Sequence, residues 1–334
     1  MIKQLIVNGY KSIRHAYIPM KQLNVLSGLN SSGKSSIIQC LRILDRVARR
    51  KDNVLLKELG GEKDVRNKLE TLLDITAFYG ESGERSIKYS ALNEDNSDFP
   101  KVIYVGADRI GPSDTYKSNS TDEMDPYGEN VMRCIEHYSM LAESLPHQVV
   151  PDDSEGEAFR FVVQGWLKKV SPGVKFNVEK IQGLDAYKAT YNDYTPYNVG
   201  YGLSYSLSII VAVLIGVVEK GSIVLLENPE AHIHAKGQTA FADLICRAVD
   251  SGAQIVVETH SDHVFDGVRV YAKEHKGFAE KTNLLWFKLV KDNVGTENSV
   301  HTSIEYPTLD DDGRLDFWPE DMYDQFMSNS SRLL

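Results

Sequence analysis

Two glycines, a lysine and a serine at a fixed spacing form the most chemically specific stretch of the sequence. Gly28 is followed by four residues and then by Gly33, Lys34 and Ser35. This is the pattern of a P-loop, in which backbone N–H groups and a helix N-terminus surround the phosphates of a nucleotide. The lysine of that motif reaches the β and γ phosphates, and its serine binds Mg²⁺. The predicted contacts to ATP are Asn30, Ser31, Ser32, Gly33, Lys34, Ser35 and Ser36, with Ser35 also a magnesium ligand.

Carboxylates follow an apolar run of strand length in the second half of the chain. Residues 222–226 lead directly into Glu227-Asn228-Pro229-Glu230. Since the carboxyl ends of buried parallel strands lie beside the ligand in open α/β sheets, Glu227 is suited to hold Mg²⁺. Glu230 could orient the attacking water, as could His232. The sequence leaves the choice of general base open among these catalytic candidates.

A histidine stands at the end of the next apolar run. Residues 254–258 resemble another buried strand, and Thr259-His260-Ser261-Asp262-His263 follows it. A histidine at that position can hydrogen-bond the γ phosphate and respond to its presence, so His260 is a further catalytic candidate. His260 and His263 are spaced for a shared metal, but no further ligand spacing accompanies them.

The glycine-rich segment 198–204 precedes the longest apolar helix of the sequence. Its Gly200-Tyr201-Gly202-Leu203-Ser204 offers backbone N–H groups, a hydroxyl and the positive end of a helix dipole. We expect Gly202 and Ser204 to form a second phosphate contact. The helix ends near Glu219, and its most apolar part, residues 207–218, is shorter than the roughly 20 residues that cross a bilayer.

The elements that would hold these side chains alternate between strands and helices. Strands at 2–8, 13–18 and 23–27 lead to the P-loop, and apolar residues at helical spacing follow it. The fold class is α/β with a mixed sheet. We expect residues 1–112 and 191–334 to build one nucleotide-binding domain, with 113–190 inserted as a mainly helical lobe.

Arg109 follows a predicted strand at 101–106. Two interpretations are left open for it: contact with the nucleotide, or a structural arginine after a strand. The densest group of basic residues lies instead at the end of the P-loop helix, where a solvated helix face accounts for it. That group comprises Arg42, Arg46, Arg49, Arg50 and Lys51.

Composition narrows the function classes. The 334 residues are 42% hydrophobic and carry 37 Lys and Arg against 47 Asp and Glu, a net charge of −10, which disfavours a surface that wraps nucleic acid nonspecifically. The 3 cysteines are odd in number and widely spaced, so neither a disulfide framework nor a zinc site is indicated. No export signal stands at the N-terminus. We expect a cytoplasmic protein without a membrane partner.

The order of the motifs resembles the Walker A, signature, Walker B and switch-histidine order of ABC-type ATPases. The phrase Asn8-Gly9-Tyr10-Lys11-Ser12 resembles the opening of RecF, SMC and OLD-type ATPases, and Glu227 to Gln238 is similar to an OLD-like prokaryotic subfamily. The resemblance covers nearly the whole chain and is weakest at 113–190. It implies an ABC/SMC-like ATPase head that binds two ATP molecules between two protomers, with Gly202 and Ser204 completing the site of the opposite subunit.

The resemblance also implies a function. Relatives of this architecture often regulate a partner effector, such as a nuclease or toxin of a bacterial anti-phage defence module. The alternative is a RecF-like DNA-repair ATPase that binds DNA across its closed dimer. Asn228 stands where ABC enzymes usually carry an acid, which implies slow hydrolysis. OLD nucleases carry a Toprim domain after the ATPase, whereas only 74 residues (334 − 260) follow His260 here.

Overall fold

A computed structural model describes residues 1–51, 54–90, 96–117, 121–141, 144–291 and 300–333 of the chain, without the side chains of 325–328. The chain divides into two compact units. The first unit joins both ends of the chain, residues Met1–Pro100 and Ala272–Leu334, and the second is Lys101–Tyr271. The predicted three-part division, with a lobe at 113–190, stays a prediction.

Strands and helices alternate along most of the described chain. The strands are β1 (Ile2–Tyr10), β2 (Ile13–Pro19), β3 (Leu23–Gly28), β4 (Asp74–Tyr79), β5 (Arg85–Lys88), β6 (Val102–Val105), β7 (Tyr116–Lys117), β8 (Phe176–Lys180), β9 (Ala186–Tyr191), β10 (Ile223–Glu227), β11 (Gln254–Glu258), β12 (Thr282–Lys291) and β13 (Val300–Glu305). The helices are α1 (Lys34–Ala48), α2 (Glu62–Val65), α3 (Val131–Met140), α4 (Phe159–Val170), α5 (Tyr201–Val218), α6 (Ala235–Asp250), α7 (Asp262–Glu274), α8 (Phe278–Lys281) and α9 (Gln325–Leu333).

The first unit places the P-loop strand beside a strand from the far end of the sequence. β12 runs parallel to β3, with Leu284 opposite Val25, and antiparallel to β13. A separate antiparallel sheet has the order β2-β1-β4-β5. Helix α1 contacts β3, β4 and β5, and it buries Ile37, Ile38 and Leu41. The apolar residues, which recur at helical spacing, thus form the face of α1 that packs against these strands.

The second unit is built on the parallel strands β6, β10 and β11. β10 lies between the other two, with Leu225 opposite Tyr104 on one side and Val256 on the other. Residues 223–226 are fully buried, which explains why this strand is continuously apolar instead of alternating. Helices α4, α5 and α6 pack on one another, and α5 and α6 also contact the strands. A small sheet of order β7-β9-β8 completes the unit.

Helix α5 is the hydrophobic centre of the second unit. Its 18 residues are long and apolar enough to cross a membrane by composition alone, and 72% of that stretch is buried inside the protein. A core helix passes the same test of length and composition, and the burial agrees with the core helix predicted here.

The predicted fold class, α/β with a mixed sheet and helices, is confirmed.

Candidate nucleotide-binding site

The P-loop requires glycine at two positions. Gly28 has φ 141° and Gly33 has φ 104°, backbone conformations that residues with a side chain rarely adopt. A Cβ atom on Gly28 would lie 2.2 Å from the carbonyl oxygen of Phe287, and one on Gly33 would lie 2.6 Å from Oγ1 of Thr302. The close approach of β12 and β13 therefore explains both glycines.

Lys34 lies inside the curl of the loop. Its ammonium donates hydrogen bonds to the carbonyl oxygens of Gly28 (3.0 Å) and Leu29 (2.8 Å), and the residue is only 3% exposed. The hydroxyl of Ser32 donates to the same Leu29 oxygen at 2.7 Å. These bonds hold a buried cation at the place where the motif puts phosphate oxygens.

The start of helix α1 is arranged for an anion. Gly33 is its N-cap and provides no side-chain cap, and no acidic residue stands in the first turn. The first amides of a helix otherwise need acceptors from a cap, from water or from a ligand. Asn30 and Ser31 are exposed on the outer side of the loop, whereas Ser35 is half-buried and Ser36 is buried. The predicted residues 30–36 thus run without a break from the loop into the first turn of α1, and their contact with a nucleotide stays a prediction.

Two hydroxyl residues outside the predicted nucleotide contacts support the P-loop. Thr302 of β13 donates from Oγ1 to the carbonyl oxygen of Ser32 at 2.9 Å. Its Oγ1 is also 2.7 Å from the hydroxyl of Ser12, which follows β1. Ser12 belongs to the opening phrase that resembles RecF and SMC ATPases. Thr302 carries no local signal, because its contact spans 270 residues of sequence.

In the second unit, the end of β11 holds the carboxylate of Glu230. The hydroxyl of Thr259 donates to Glu230 Oε2 at 2.8 Å, and the amide of His260 donates to Oε1 at 2.7 Å. The amide of Asn228 donates to the carbonyl oxygen of Glu258 at 2.9 Å. The structure therefore brings the predicted base candidate Glu230 to the predicted γ-phosphate residue His260.

Glu227 ends β10 and is paired in register with Glu258 of β11. Glu227 is half-buried, whereas Glu258 is 5% exposed. The parallel register thus places two acids at the same edge. The sequence predicts a site role for Glu227 alone, because Glu258 is the last residue of the predicted strand 254–258.

Arg109 is buried and bound to main-chain oxygens. Its guanidinium donates to Gly106 (3.1 Å), Tyr205 (3.2 Å), Glu227 (3.1 Å) and Asn228 (2.9 Å). Burial lowers the pKa of Arg109 to about 10, and the negative charge of Glu230 opposes that effect. Of the two interpretations that the sequence left open, the geometry gives Arg109 a structural place beside the carboxylates.

His232 has a left-handed backbone, with φ 65°, and an exposed side chain. Its ring lies 4.6 Å from that of Tyr205 and 6.5 Å from that of Tyr201, both on α5. A Cβ atom on Gly202 would lie 2.7 Å from the carbonyl oxygen of His232. The turn after β10 therefore rests directly on the first turns of α5, and glycine at 202 is required by that contact.

The first residues of α5 are exposed, whereas the side chain of Ser204 in its first turn is buried. Gly200, the N-cap, and Tyr201 are exposed, whereas Ser204 is only 4% exposed. Within the described residues, the buried hydroxyls of Ser204, Tyr116 and Tyr191 make no hydrogen bond, and burial raises the pKa values of the two tyrosines. The helix end, with Gly202 in its first turn, thus faces outward. The contact predicted for the Ser204 hydroxyl stays a prediction.

The side chains of the acidic turn at 310–312 accept hydrogen bonds from main-chain amides. Asp310 Oδ1 accepts from the amides of Asp312 and Arg314, and Asp311 Oδ1 accepts from the amide of Gly277. Across the described ranges of the chain, no group of three or more His, Cys, Asp and Glu side chains could hold a metal ion. Ser35 and Glu227 stay the predicted magnesium ligands.

Residues 23–266 match the family described as "AAA domain, putative AbiEii toxin, Type IV TA system". The match includes the P-loop, the start of α5 and the ends of β10 and β11. The chain belongs to this AAA-domain family. Residues 280–333 match a second family, described as a protein of unknown function (DUF3696). No curated protein matches the chain.

Several solved structures are similar to the AAA-domain chain. An SMC head bound to the C-terminal winged-helix domain of ScpA is 14% identical, with a TM-score of 0.49, and covers 91% of this chain and 97% of that one. The SMC head domain from Thermotoga maritima is 12% identical, with a TM-score of 0.44 and coverage of 90% and 98%. A dimeric ATP-binding cassette bound to ADP and Pi is 14% identical, with a TM-score of 0.42 and coverage of 86% and 94%.

Proposed function

We propose that this protein is an ATP-dependent switch that dimerises around bound ATP, hydrolyses it slowly and thereby regulates a partner protein. One observation carries the proposal. The buried ammonium of Lys34 lies in a loop with two glycines at φ angles that other residues rarely adopt, next to the start of α1, which has no side-chain cap. That combination is built for a polyphosphate, and membership of an AAA-domain family supports it.

The nucleotide would be held by residues 30–36, with Lys34 contacting the phosphates. Ser35 and Glu227 would hold Mg²⁺, which neutralises charge that develops on the transferred phosphoryl group. Both groups carry oxygen, which Mg²⁺ prefers as a ligand. Removal of Mg²⁺ with EDTA is expected to abolish hydrolysis.

Glu230 is the proposed general base, with Glu227, His232 and His260 as the other catalytic residues. Both oxygens of Glu230 already accept hydrogen bonds, from Thr259 and from the His260 amide. Each carboxylate oxygen has a second lone pair, with which Glu230 can accept a proton from water while both bonds hold it in place. Asn228 in place of an acid supports slow turnover, which suits a switch.

The dimer is proposed to form by contact between the start of α5 in one protomer and the nucleotide of the other. The helix end is exposed at Gly200 and Tyr201, and no acidic residue stands in its first turn. A helix of 18 residues directs a positive dipole end outward at this point. Gly202 and Ser204 are the residues of this turn that we propose for the contact across the dimer.

The proposed partner is an effector protein, either a nuclease or a toxin, of a bacterial anti-phage defence module in the cytoplasm. The family description names a toxin of a type IV toxin–antitoxin system, which supports a place in such a module. The net charge of −10 weighs against the RecF-like alternative. DNA binding that appears only with ATP and weakens with salt would favour that alternative instead.

Sedimentation velocity with and without ATP and Mg²⁺ tests the switch. We expect a monomer without nucleotide, a dimer with ATP, and a return to monomer as phosphate is released. An equally dimeric or equally monomeric protein under both conditions would contradict the switch, even if ATP binds.

A further inference from the structure

Arg109 brings three segments of the second unit to one guanidinium group. Its donors reach the carbonyl oxygens of Gly106, of Tyr205 on α5, and of Glu227 and Asn228 after β10. The side chain is only 2% exposed, so water does not compete for these bonds. The planar fork of five donors suits arginine to this task, since a lysine ammonium presents three donors from one point.

The segments that Arg109 joins carry the proposed chemistry. Tyr205 lies one turn after the exposed start of α5, which we propose contacts the nucleotide of the other protomer. Asn228 begins the turn that leads to Glu230, and it has a left-handed φ of 45°. Arg109 donates to the carbonyl oxygen of Asn228, and the N–H of Asn228 donates to the carbonyl oxygen of Glu258. The direction in which the chain leaves β10 is thus fixed from both sides of Asn228.

A second contact also joins the start of α5 to the turn after β10. The backbone of His232 approaches Gly202 so closely that a methyl group would not fit. The ring of Tyr205 lies 5.3 Å from the Arg109 guanidinium and 4.6 Å from the ring of His232. A movement of the first turns of α5 must therefore be accompanied by movement of the 227–232 turn.

We propose that Arg109 is a positioning residue that couples the start of α5 to the Glu230 carboxylate. The proposal rests on the proposed ATPase function. Contact of α5 with a nucleotide on the partner protomer would be transmitted through Arg109 to the turn at Asn228. Hydrolysis would then depend on dimer closure, with Arg109 acting through the main-chain oxygens that it binds.

The substitution Arg109→Lys tests the coupling, and hydrogen exchange provides a readout that does not depend on activity. The Asn228 amide donates to Glu258, and the His260 amide donates to Glu230. We expect both amides to exchange faster in the variant, while those of Ile223–Leu226 in β10 keep their protection. Faster exchange throughout the second unit would instead show general destabilisation and overturn the proposal, as would unchanged exchange.

Kinetics of the same variant give the second readout. We expect kcat to fall by about tenfold or more, while the dissociation constant of ATP stays within about threefold of the wild-type value. A proportional loss of binding and turnover, or an unchanged kcat, would overturn the coupling. If Arg109→Lys does not fold, Arg109→Gln is measured in the same way, because its amide retains part of the donor set.

Arg247→Lys is the matched control. Arg247 also lies in the second unit and also donates to a main-chain oxygen, that of Gln148, but it stands in the last turn of α6. We expect the Arg247→Lys variant to have the kcat of the wild type and the same hydrogen exchange at the Asn228 amide. A wild-type protein that binds no ATP would refute the proposed function. The exchange data alone would then still decide whether Arg109 holds the turn.

Discussion

Thr259 donates a hydrogen bond of 2.8 Å to the Oε2 atom of Glu230. The two residues lie at the ends of neighbouring parallel strands, one after β11 and one in the turn after β10. Since the His260 amide binds the other carboxylate oxygen, Glu230 is anchored to the end of the strand that carries the predicted γ-phosphate residue. The proposed base and the proposed sensor are therefore joined through one carboxylate.

The substitution Glu230→Gln removes the proposed base with little change of size. We expect hydrolysis to slow by well over tenfold, because a positioned general base contributes about 10² to 10⁴ in rate. ATP binding is expected to persist. Steady-state phosphate release and fluorescent-nucleotide titration measure the two quantities. Turnover at the wild-type rate would direct attention to His232 or Glu227.

The substitution Thr259→Val keeps the volume and removes the hydroxyl. Thr259 is fully buried, and its hydroxyl also accepts a bond from the Ser261 amide. Leaving these buried groups without a partner is expected to lower the free energy of unfolding by about 1–3 kcal/mol. Urea denaturation measures this loss. Thr239→Val is the control, because Thr239 is exposed and bonds only weakly to its own helix, at 3.4 Å.

Lys34→Ala tests the phosphate-binding role of the P-loop. The variant loses the cation that the loop carbonyls of Gly28 and Leu29 hold in place. We expect ATP affinity to fall below detection in isothermal titration calorimetry. Lys68→Ala, at an exposed lysine of the same unit, should bind as the wild type does. ATP affinity that survives in Lys34→Ala would contradict the phosphate-binding role.

The three cysteines are expected to resist alkylation in the folded protein. All are buried, and burial raises the pKa of Cys40, Cys134 and Cys246, to about 12 for Cys134. Because the thiolate is the reactive form, iodoacetamide at pH 8 should leave the native mass unchanged and add three adducts in urea. Rapid labelling of Cys40 in the native protein would show that helix α1 opens locally.

Local patterns were sufficient to predict the P-loop and the strand ends. Gly28 and Gly33 reflect backbone conformations, and the apolar run before Glu227 reflects a strand buried on both faces. Such features depend on neighbours in sequence, so one chain reveals them. The general α/β fold followed from the same alternation of strand and helix patterns.

Long-range contacts could not be predicted in this way. Thr302 bonds to Ser32 from 270 residues away in the sequence, and no residue pattern near either position indicates that contact. The sequence shows Arg109 only as an arginine after a strand, since its acceptors are carbonyl groups that every residue possesses. Ser204 is predicted from its place at a helix start, but the burial of its side chain depends on tertiary packing, which the local sequence does not reveal.

The proposed dimer is tested by a bulky charge at the start of α5. Gly200 has an ordinary φ of −63°, and a Cβ atom built on it meets nothing within 4 Å, so Gly200→Arg should fold normally. We expect it to bind ATP but to stay monomeric in sedimentation velocity. Leu184→Arg, at a site 60% exposed in the same unit, should dimerise as before.

The Glu230→Gln background sharpens this measurement, since slow hydrolysis prolongs the ATP-bound state. In that background Ser204→Ala separates the hydroxyl from the rest of the helix end. Because the hydroxyl is buried beside Tyr116 and Tyr191, we expect Ser204→Ala to weaken dimerisation less than Gly200→Arg does. A dimer that forms equally well with Gly200→Arg would remove α5 from the interface and, with it, the proposed contact across the protomers.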